Sequence, residues 1–232
     1  MLPGQRVARR LGRGYLGGTM PHQPEMPRAI AFVDGQNLFN AAKEAFGYDY
    51  PNYDVLKLAQ EVASGNGWTL IQTCFYTGIP EPKDPRHAFW SNKLANLGRQ
   101  GIVLFSRPLR YHFEEGTLPD GSTSKVRVPV EKGVDIRLAL DVVRLAFANR
   151  YDVAIIFSQD QDYSEAAKEI RAISKAAKRW IKVVSAFPSS KLTFNKRGIE
   201  LTDWILIDKA TYDRCIDPVD YRPSRLPSKA DL

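Results

Sequence analysis

Residues 29–37 read AIAFVDGQN, a short apolar run that ends in an aspartate, a glycine and an asparagine. The run has the length of one buried strand, and helical apolar spacing follows it from Leu38. Similar runs recur at 69–76, 102–105, 153–157 and 181–186. Strands that alternate with amphipathic helices are typical of a parallel sheet covered on both faces. We therefore predict an α/β three-layer sandwich with a mostly parallel sheet of five or six strands, and a last helix or strand pair over 192–207.

The composition of the 232 residues excludes several classes of protein. With 44% hydrophobic and 25% charged residues, the chain suffices for one core, and no apolar run approaches the roughly 20 residues of a membrane span. Two cysteines and three histidines are too few for a disulfide framework or a standard zinc site. The arginine-rich start lacks the apolar stretch of a secretory signal. We expect a cytoplasmic protein with no membrane partner, and the sequence leaves its oligomeric state open, a homodimer included.

Positive charge is concentrated at the beginning of the chain. The net charge is +7, and the first 28 residues hold five arginines and one glutamate. Residues 1–27 are crowded with glycine, proline and arginine, which predicts a disordered basic arm or an extension before a true start at Met20 or Met26. We assign 28–210 to the folded domain and 211–232 to a flexible tail. The excess of positive charge favours an acidic partner such as nucleic acid.

Acidic residues follow the predicted strands at one edge of the sheet. Asp34 closes the first strand, and Asp160 and Asp162 directly follow the fourth. Asp135 lies in the first turn of a helix predicted over 134–148, which begins at the same edge. Ligands of doubly wound sheets bind beyond the carboxyl ends of the strands. Four carboxylates from three distant segments are therefore expected to converge there.

Carboxylates within a few ångströms of one another repel, and lost solvation raises their pKa values unless a cation binds. Oxygen ligands without a histidine or thiolate nearby favour Mg²⁺ or Mn²⁺ over zinc or copper. Such an ion activates water and neutralises charge on a phosphate, so the cluster predicts phosphodiester hydrolysis. Taken singly, Asp34 is also typical of a turn, and Asp162 with Glu165 of a capping box. Neither interpretation accounts for the whole cluster.

The segments that carry these aspartates resemble the NYN domain family, a branch of the PIN-like nucleases. They are FVDGQNL at 32–38, EKGVDI at 131–136 with the helix that continues to Asp141, and IIFSQDQD at 155–162. The resemblance spans about residues 29–208, and the order and spacing of the three motifs are specific.

The resemblance implies a PIN-like sheet and a metal-dependent ribonuclease. Its implied metal ligands are Asp34, Asp135, Asp160 and Asp162, with Asn37 as a further catalytic residue and Ser158 in support. Asp141 also matches a family position, but it lies about 9 Å along the helix from Asp135 and about 120° round it. We therefore assign Asp141 a supporting hydrogen bond. The family more often has glycine where this chain has Gln159, whose side chain is expected to narrow the metal pocket.

Residues 107–131 contain several prolines and predict an irregular excursion or a hairpin. We expect this segment to form a rim that binds single-stranded or looped RNA. The candidate RNA-binding residues on and beside it are Arg107, Arg110, Tyr111, Lys125, Arg127 and Lys132.

Three functions fit the sequence. The first is a ribonuclease that uses Mg²⁺ or Mn²⁺. The second is a PIN-like module that binds RNA or a protein without catalysis, its carboxylates being vestigial. The third is a phosphatase or nucleotidase that acts on small phosphate esters.

Overall fold

The computed structural model describes residues 21–117 and 123–222. Most of the predicted basic arm, up to residue 20, and the end of the predicted tail, from 223, lie outside these ranges. In chain order the elements are β1 (Arg28–Asp34), α1 (Gly35–Phe46), α2 (Val55–Ser64), β2 (Thr69–Ile79), α3 (Arg86–Arg99), β3 (Val103–Pro108), β4 (Arg110–Thr117), β5 (Thr123–Val130), α4 (Val134–Phe147), β6 (Val153–Phe157), a single 3₁₀ turn (Gln161–Tyr163), α5 (Ser164–Ala176), β7 (Lys182–Pro188), β8 (Asp203–Ile207) and α6 (Lys209–Arg214).

Six strands form one parallel sheet in the order β3-β2-β1-β6-β7-β8. The chain builds outward from β1 to β3 and then returns to the other side of β1, so the strand order reverses between β1 and β6. Such a reversal opens a crevice at the carboxyl ends of the two central strands. The predicted parallel α/β sheet is confirmed, with six strands.

Helices cover both faces of this sheet, and β1 shows how the sequence divides between them. Ala29, Ala31 and Val33 pack on one face with residues of α1, α2 and α3, whereas Ile30 and Phe32 pack on the other with α4 and α5. All five side chains are buried. Full burial of a large apolar side chain contributes about 1.5–3 kcal/mol, so a strand that is apolar on both faces is strongly held at the centre.

The segment after β3 forms a separate antiparallel hairpin of β4 and β5, the second of the two alternatives predicted for it. Glu81 connects this hairpin to the body of the protein. Its backbone N–H donates to Tyr111 Oη at 3.0 Å, and its carboxylate pairs with Arg127. The Arg127 guanidinium lies 4.0 Å from the centre of the Tyr111 ring. These contacts fix the base of the hairpin beside the sheet.

The C-terminal part differs from the sequence-based expectation. Residues 189–202 form neither the expected helix nor a strand pair, and within 192–207 only β8 is regular. The expected flexible tail begins at 211, yet Tyr212, Cys215 and Tyr221 are buried. Helix α6 was not predicted because its six residues are too few to show a helical period.

No helix in the described part of the chain is both long enough and apolar enough to cross a membrane.

A buried lysine ties the segment after α6 to α3. Lys93 is fully buried, and its Nζ donates to the carbonyl of Tyr53 at 2.8 Å and lies 3.5 Å from the Asp217 carboxylate. The ring centres of Tyr53 and Tyr221 lie 5.2 and 5.1 Å from the same nitrogen. The ammonium group is thus surrounded by two oxygen atoms and two aromatic rings.

We expect Lys93→Met to lower the free energy of unfolding by about 2 kcal/mol, because a buried carbonyl loses its donor while the aliphatic stem is kept. Urea denaturation measures this change. Lys168→Met, at an exposed ion pair of α5, is the matched control and should change stability by less than about 0.5 kcal/mol. Equal stability of Lys93→Met and the wild type would contradict the anchoring role.

Candidate functional site

Asp34 ends β1 and begins α1, at the reversal of the strand order. Its Oδ1 accepts the backbone N–H of Asn37 at 3.0 Å and so caps α1. Its Oδ2 accepts the hydroxyls of Tyr163 at 3.1 Å and Ser158 at 3.3 Å. Asp34 therefore caps the helix at the predicted turn, and the two hydroxyls hold its other carboxylate oxygen in place.

Gly35 allows this close arrangement. A Cβ at Gly35 would lie 2.6 Å from the Phe75 ring and 3.1 Å from the carbonyl oxygen of Tyr76. The first turn of α1 can therefore approach β2 only without a side chain at this position.

The Asp34 carboxyl is only 8% exposed, and burial raises its pKa above the usual value. The hydrogen bonds from Asn37, Tyr163 and Ser158 oppose this shift, whereas the charge of Asp160 adds to it. A buried carboxylate with a second acid close by is the condition that a bound cation relieves.

The residues after β6 are joined to α1 by a short network. The backbone N–H of Gln159 donates to Asn37 Oδ1 at 2.9 Å, and that of Asp160 donates to Ser158 Oγ at 3.1 Å. The carbonyl of Ser158 in turn accepts the buried Ser185 hydroxyl at 2.7 Å. Asn37 and Ser158 thus link the two sides of the crevice.

The sequence did not single out two groups that the structure brings to this site, Tyr163 and Glu131. Burial raises the pKa of Tyr163, as does the nearby charge of Asp34, so its phenol remains a hydrogen-bond donor. The only available signal was a tyrosine three residues after Asp160, directly before α5. Tyrosine hydroxyls inside proteins usually have a partner, but the sequence does not say which one.

Glu131 precedes α4 and accepts the backbone N–H of Gly78 at 2.5 Å. A Cβ at Gly78 would lie 2.7 Å from the Glu131 carboxylate, so a side chain there would displace it from this contact. Burial raises the pKa of Glu131 to about 7, and the charges of Asp34 and Asp135 contribute. Glu131 is therefore a further acidic group at this edge, held there by a hydrogen bond from the backbone of Gly78, 53 residues earlier.

Asp135 lies in the first turn of α4, as predicted, and its side chain is exposed. Its charge raises the pKa values of both Glu131 and Tyr163. Because charges act strongly only over short distances in and near a protein, Asp135 lies near enough to Glu131 and Tyr163 to interact with both.

Asp162 and Asp141 lie differently from the other acids. Asp162 is exposed, and its backbone N–H donates to Asp160 Oδ1 at 3.0 Å. Its side chain does not cap α5, which has no side-chain cap bond.

Asp141 accepts hydrogen bonds from Tyr76, Arg137 and Arg144, at 3.1, 2.8 and 3.1 Å. None of these partners is a predicted metal ligand, so Asp141 stabilises the packing of α4 against β2.

Gln159 does not point into the crevice as the sequence led us to expect. Its side-chain amide donates to the carbonyls of Asn195 and Arg197, at 3.0 and 2.9 Å. Both hydrogens of the Gln159 amide group are therefore directed toward the segment after β7. The side chain connects two loops and leaves the space beside Asp34 and Asp160 to other groups.

The predicted RNA-binding residues fall into two groups. Tyr111 and Arg127 contact each other and Glu81, and so hold the hairpin. Arg107 lies against the start of α4, where a Cβ at Gly133 would come within 2.9 Å of its guanidinium. Arg110, Lys125 and Lys132 are exposed and make no ion pair within residues 21–117 and 123–222. Their role in RNA binding stays a prediction.

The donor chemistry of the crevice suits Mg²⁺ or Mn²⁺, because every acidic group in it offers oxygen alone. In the described residues, however, no group of three or more histidine, cysteine, aspartate or glutamate side chains is arranged to hold a metal ion. Instead, Asp34 accepts hydrogen bonds from three protein donors and Asp160 from one. The metal ligands therefore stay a prediction.

Comparison with known families decides what kind of domain this is. Residues 28–192 match the NYN domain. The chain belongs to the NYN domain family. NYN domains are PIN-like nuclease domains, and they typically use divalent metal ions. Membership in this family therefore indicates a nuclease-like hydrolase.

Other comparisons add little about the activity of this NYN protein. No match was found among curated proteins. Among solved structures, a protein of unknown function from Vibrio parahaemolyticus is similar to this chain, with 16% sequence identity and a TM-score of 0.47. The similarity covers 81% of this chain and 97% of that chain.

Proposed function

We propose that this NYN protein is a metal-dependent endoribonuclease that hydrolyses single-stranded or looped RNA. The observation that carries the proposal is that the Ser158 hydroxyl donates to Asp34 and accepts the N–H of Asp160 at the reversal point of the sheet, in a domain of the nuclease-like NYN family. Structural carboxylates are usually neutralised by basic partners, whereas no lysine or arginine pairs with Asp34 in the described residues. An unneutralised acidic crevice suits a cation and a phosphate substrate.

We assign the metal to Asp34, Asp135 and Asp160, with Asp162 as the outer member of the predicted set. When bound, Mg²⁺ or Mn²⁺ supplies activation of water and neutralisation of charge on the phosphate. Ser158 and Tyr163 keep Asp34 Oδ2 in place through their hydroxyls. Asn37 keeps the loop of Asp160 beside α1 through the backbone of Gln159. Arg107 and Lys132, near the start of α4, are suited to bind phosphate oxygens.

The proposal is tested by incubating the purified full chain with a mixed RNA pool, with Mg²⁺, with Mn²⁺ and with EDTA. We expect internal cleavage with either ion and none with EDTA. Mapping of the product ends distinguishes endonucleolytic from exonucleolytic cleavage. If RNA stays intact under all three conditions, the enzyme proposal fails.

One observation favours a second candidate, an RNA-binding module without catalysis. Carboxylate oxygens of Asp34 and Asp160 already accept protein hydrogen bonds, and no three acids of the described residues are arranged to hold a metal ion. Such a module binds RNA in a salt-dependent manner, because phosphate contacts release counterions. Binding that persists in EDTA, with no fragments in Mg²⁺ or Mn²⁺, supports the module and excludes the enzyme. Metal-dependent hydrolysis of p-nitrophenyl phosphate without RNA cleavage would instead support a phosphatase.

A further inference from the structure

A basic loop with two exposed apolar side chains lies beside the proposed catalytic crevice. Residues 191–197, which we call the 191–197 loop, read KLTFNKR and contain three cations and no acid. Within it Phe194 is 97% exposed and Leu192 87%. Nothing in the proposed hydrolytic chemistry uses these side chains.

The 191–197 loop is nevertheless held firmly in place. Glu44 of α1 accepts the backbone N–H of Phe194 at 2.6 Å, and Thr193 is buried and accepts the backbone N–H of Ser190 at 2.9 Å. Gly198, just after the loop, packs so closely on β7 and β8 that a Cβ there would lie 2.6 Å from Trp204. The exposure of Phe194 is therefore imposed by a fixed backbone.

Two glutamines connect this loop to the catalytic crevice. The side-chain amide of Gln159 donates to the carbonyls of Asn195 and Arg197. The backbone N–H of Gln159 donates to Asn37 Oδ1, and the backbone N–H of Asn37 donates to the Asp34 carboxylate. Gln161 donates to the carbonyl of Gly198 at 3.1 Å. The loop is thus linked to the Asp34 carboxylate through two residues, and it lies next to the segment that carries Asp160.

We infer that the 191–197 loop is a recognition surface for unpaired RNA, with Phe194 as a stacking platform for a base and Lys191, Lys196 and Arg197 as phosphate contacts. The inference rests on the proposed function, which it deepens by assigning the surface that binds the unpaired strand. An aromatic face among cations is how proteins hold unpaired bases without reading their sequence. Only the Arg197 charge has an ion-pair partner in the described residues, the exposed Glu200, and such pairs are weak.

The test measures binding of a fluorescently labelled oligo-uridylate to the full chain in EDTA, so that cleavage does not intervene. We expect Phe194→Ala to weaken binding roughly ten-fold, as expected for the loss of one base stack, and Phe194→Trp to bind within about three-fold of the wild type. Lys196→Ala should reduce the slope of log K against log salt by about 0.7, the loss of one phosphate contact on a single strand. Phe147→Ala is the matched control, since Phe147 is 81% exposed at the far end of α4.

The outcomes separate this inference from the proposed function. If Phe194→Ala binds oligo-uridylate as tightly as the wild type, the inference is overturned, even when metal-dependent cleavage is present. If Phe194→Ala instead leaves RNA affinity unchanged and alters sedimentation, the loop contacts a second copy of the chain, which also overturns it. Selective weakening by Phe194→Ala supports the loop assignment, even when no RNA is cleaved and the enzyme proposal fails.

Discussion

Asp34→Asn is expected to reduce RNA cleavage by at least about 100-fold, because the variant removes the charge around which the proposed metal site is built. The fold should survive. Asparagine Oδ1 can still accept the N–H of Asn37, and the hydroxyls of Ser158 and Tyr163 can rotate to accept the new amide. Because burial raises the pKa of Asp34, a neutral side chain there should also leave thermal stability equal or higher at neutral pH.

The chain provides a matched control in Asp54. This residue caps α2 as Asp34 caps α1, with its carboxylate accepting the N–H of Lys57 at 2.9 Å. Asp54→Asn should therefore cleave RNA at the wild-type rate, so any difference between the two variants reports the site and not the loss of a helix cap. Cleavage by Asp34→Asn at the wild-type rate, in Mg²⁺ and in Mn²⁺, would remove Asp34 from the mechanism.

Glu131→Gln is expected to stabilise the protein at alkaline pH in EDTA. The pKa of Glu131 rises from 4.5 to about 7 on folding, so the folded state holds the proton more tightly than the unfolded chain. The stability contributed by this proton is complete below pH 4.5 and is lost as the pH rises through 7. At pH 8 the wild type has therefore lost up to about 3 kcal/mol, by the linkage of pKa to stability. Glutamine has no proton to lose and avoids this loss.

Urea denaturation at pH 4.5 and pH 8 measures the effect. Glu131→Gln and the wild type should differ little at pH 4.5, whereas at pH 8 the variant should unfold at higher urea. Glu169→Gln, an exposed position of α5, is the control and should match the wild type at both values. A Glu131→Gln variant that is less stable than the wild type at pH 8 would show that the ionised carboxylate is stabilising in place.

The central strands could be predicted because their sequences admit one interpretation. Val153–Phe157 is five apolar residues bounded by polar ones, and the structure gives the strand the same limits. Asp34 and Asp160 could be placed at one edge since parallel strands end together there. It was enough to know that each aspartate directly follows a strand, because the ends of parallel strands meet at one edge of the sheet whatever side chains they carry.

The remaining features depend on contacts that local sequence does not encode. Glu131 reaches the crevice only because Gly78, on another strand, leaves room and donates an N–H. Residues 189–202 lack a helix or strand because side chains of Glu44, Gln159 and Gln161 satisfy their backbone groups in place of a regular ladder. The burial of Tyr212 and Tyr221 cannot be predicted from the sequence, because the two residues are too widely spaced to form a periodic pattern.

The order of the strands has a consequence for the length of RNA that the proposed enzyme would engage. The hairpin follows β3 and the 191–197 loop follows β7, with the carboxylates of β1 and β6 between them. Four strand-to-strand steps of about 4.8 Å separate β3 from β7, roughly 19 Å in all. An RNA that contacted both the hairpin and the loop would cross the strand ends at right angles, so its minimum footprint would be several nucleotides, and a dinucleotide would be too short to reach both.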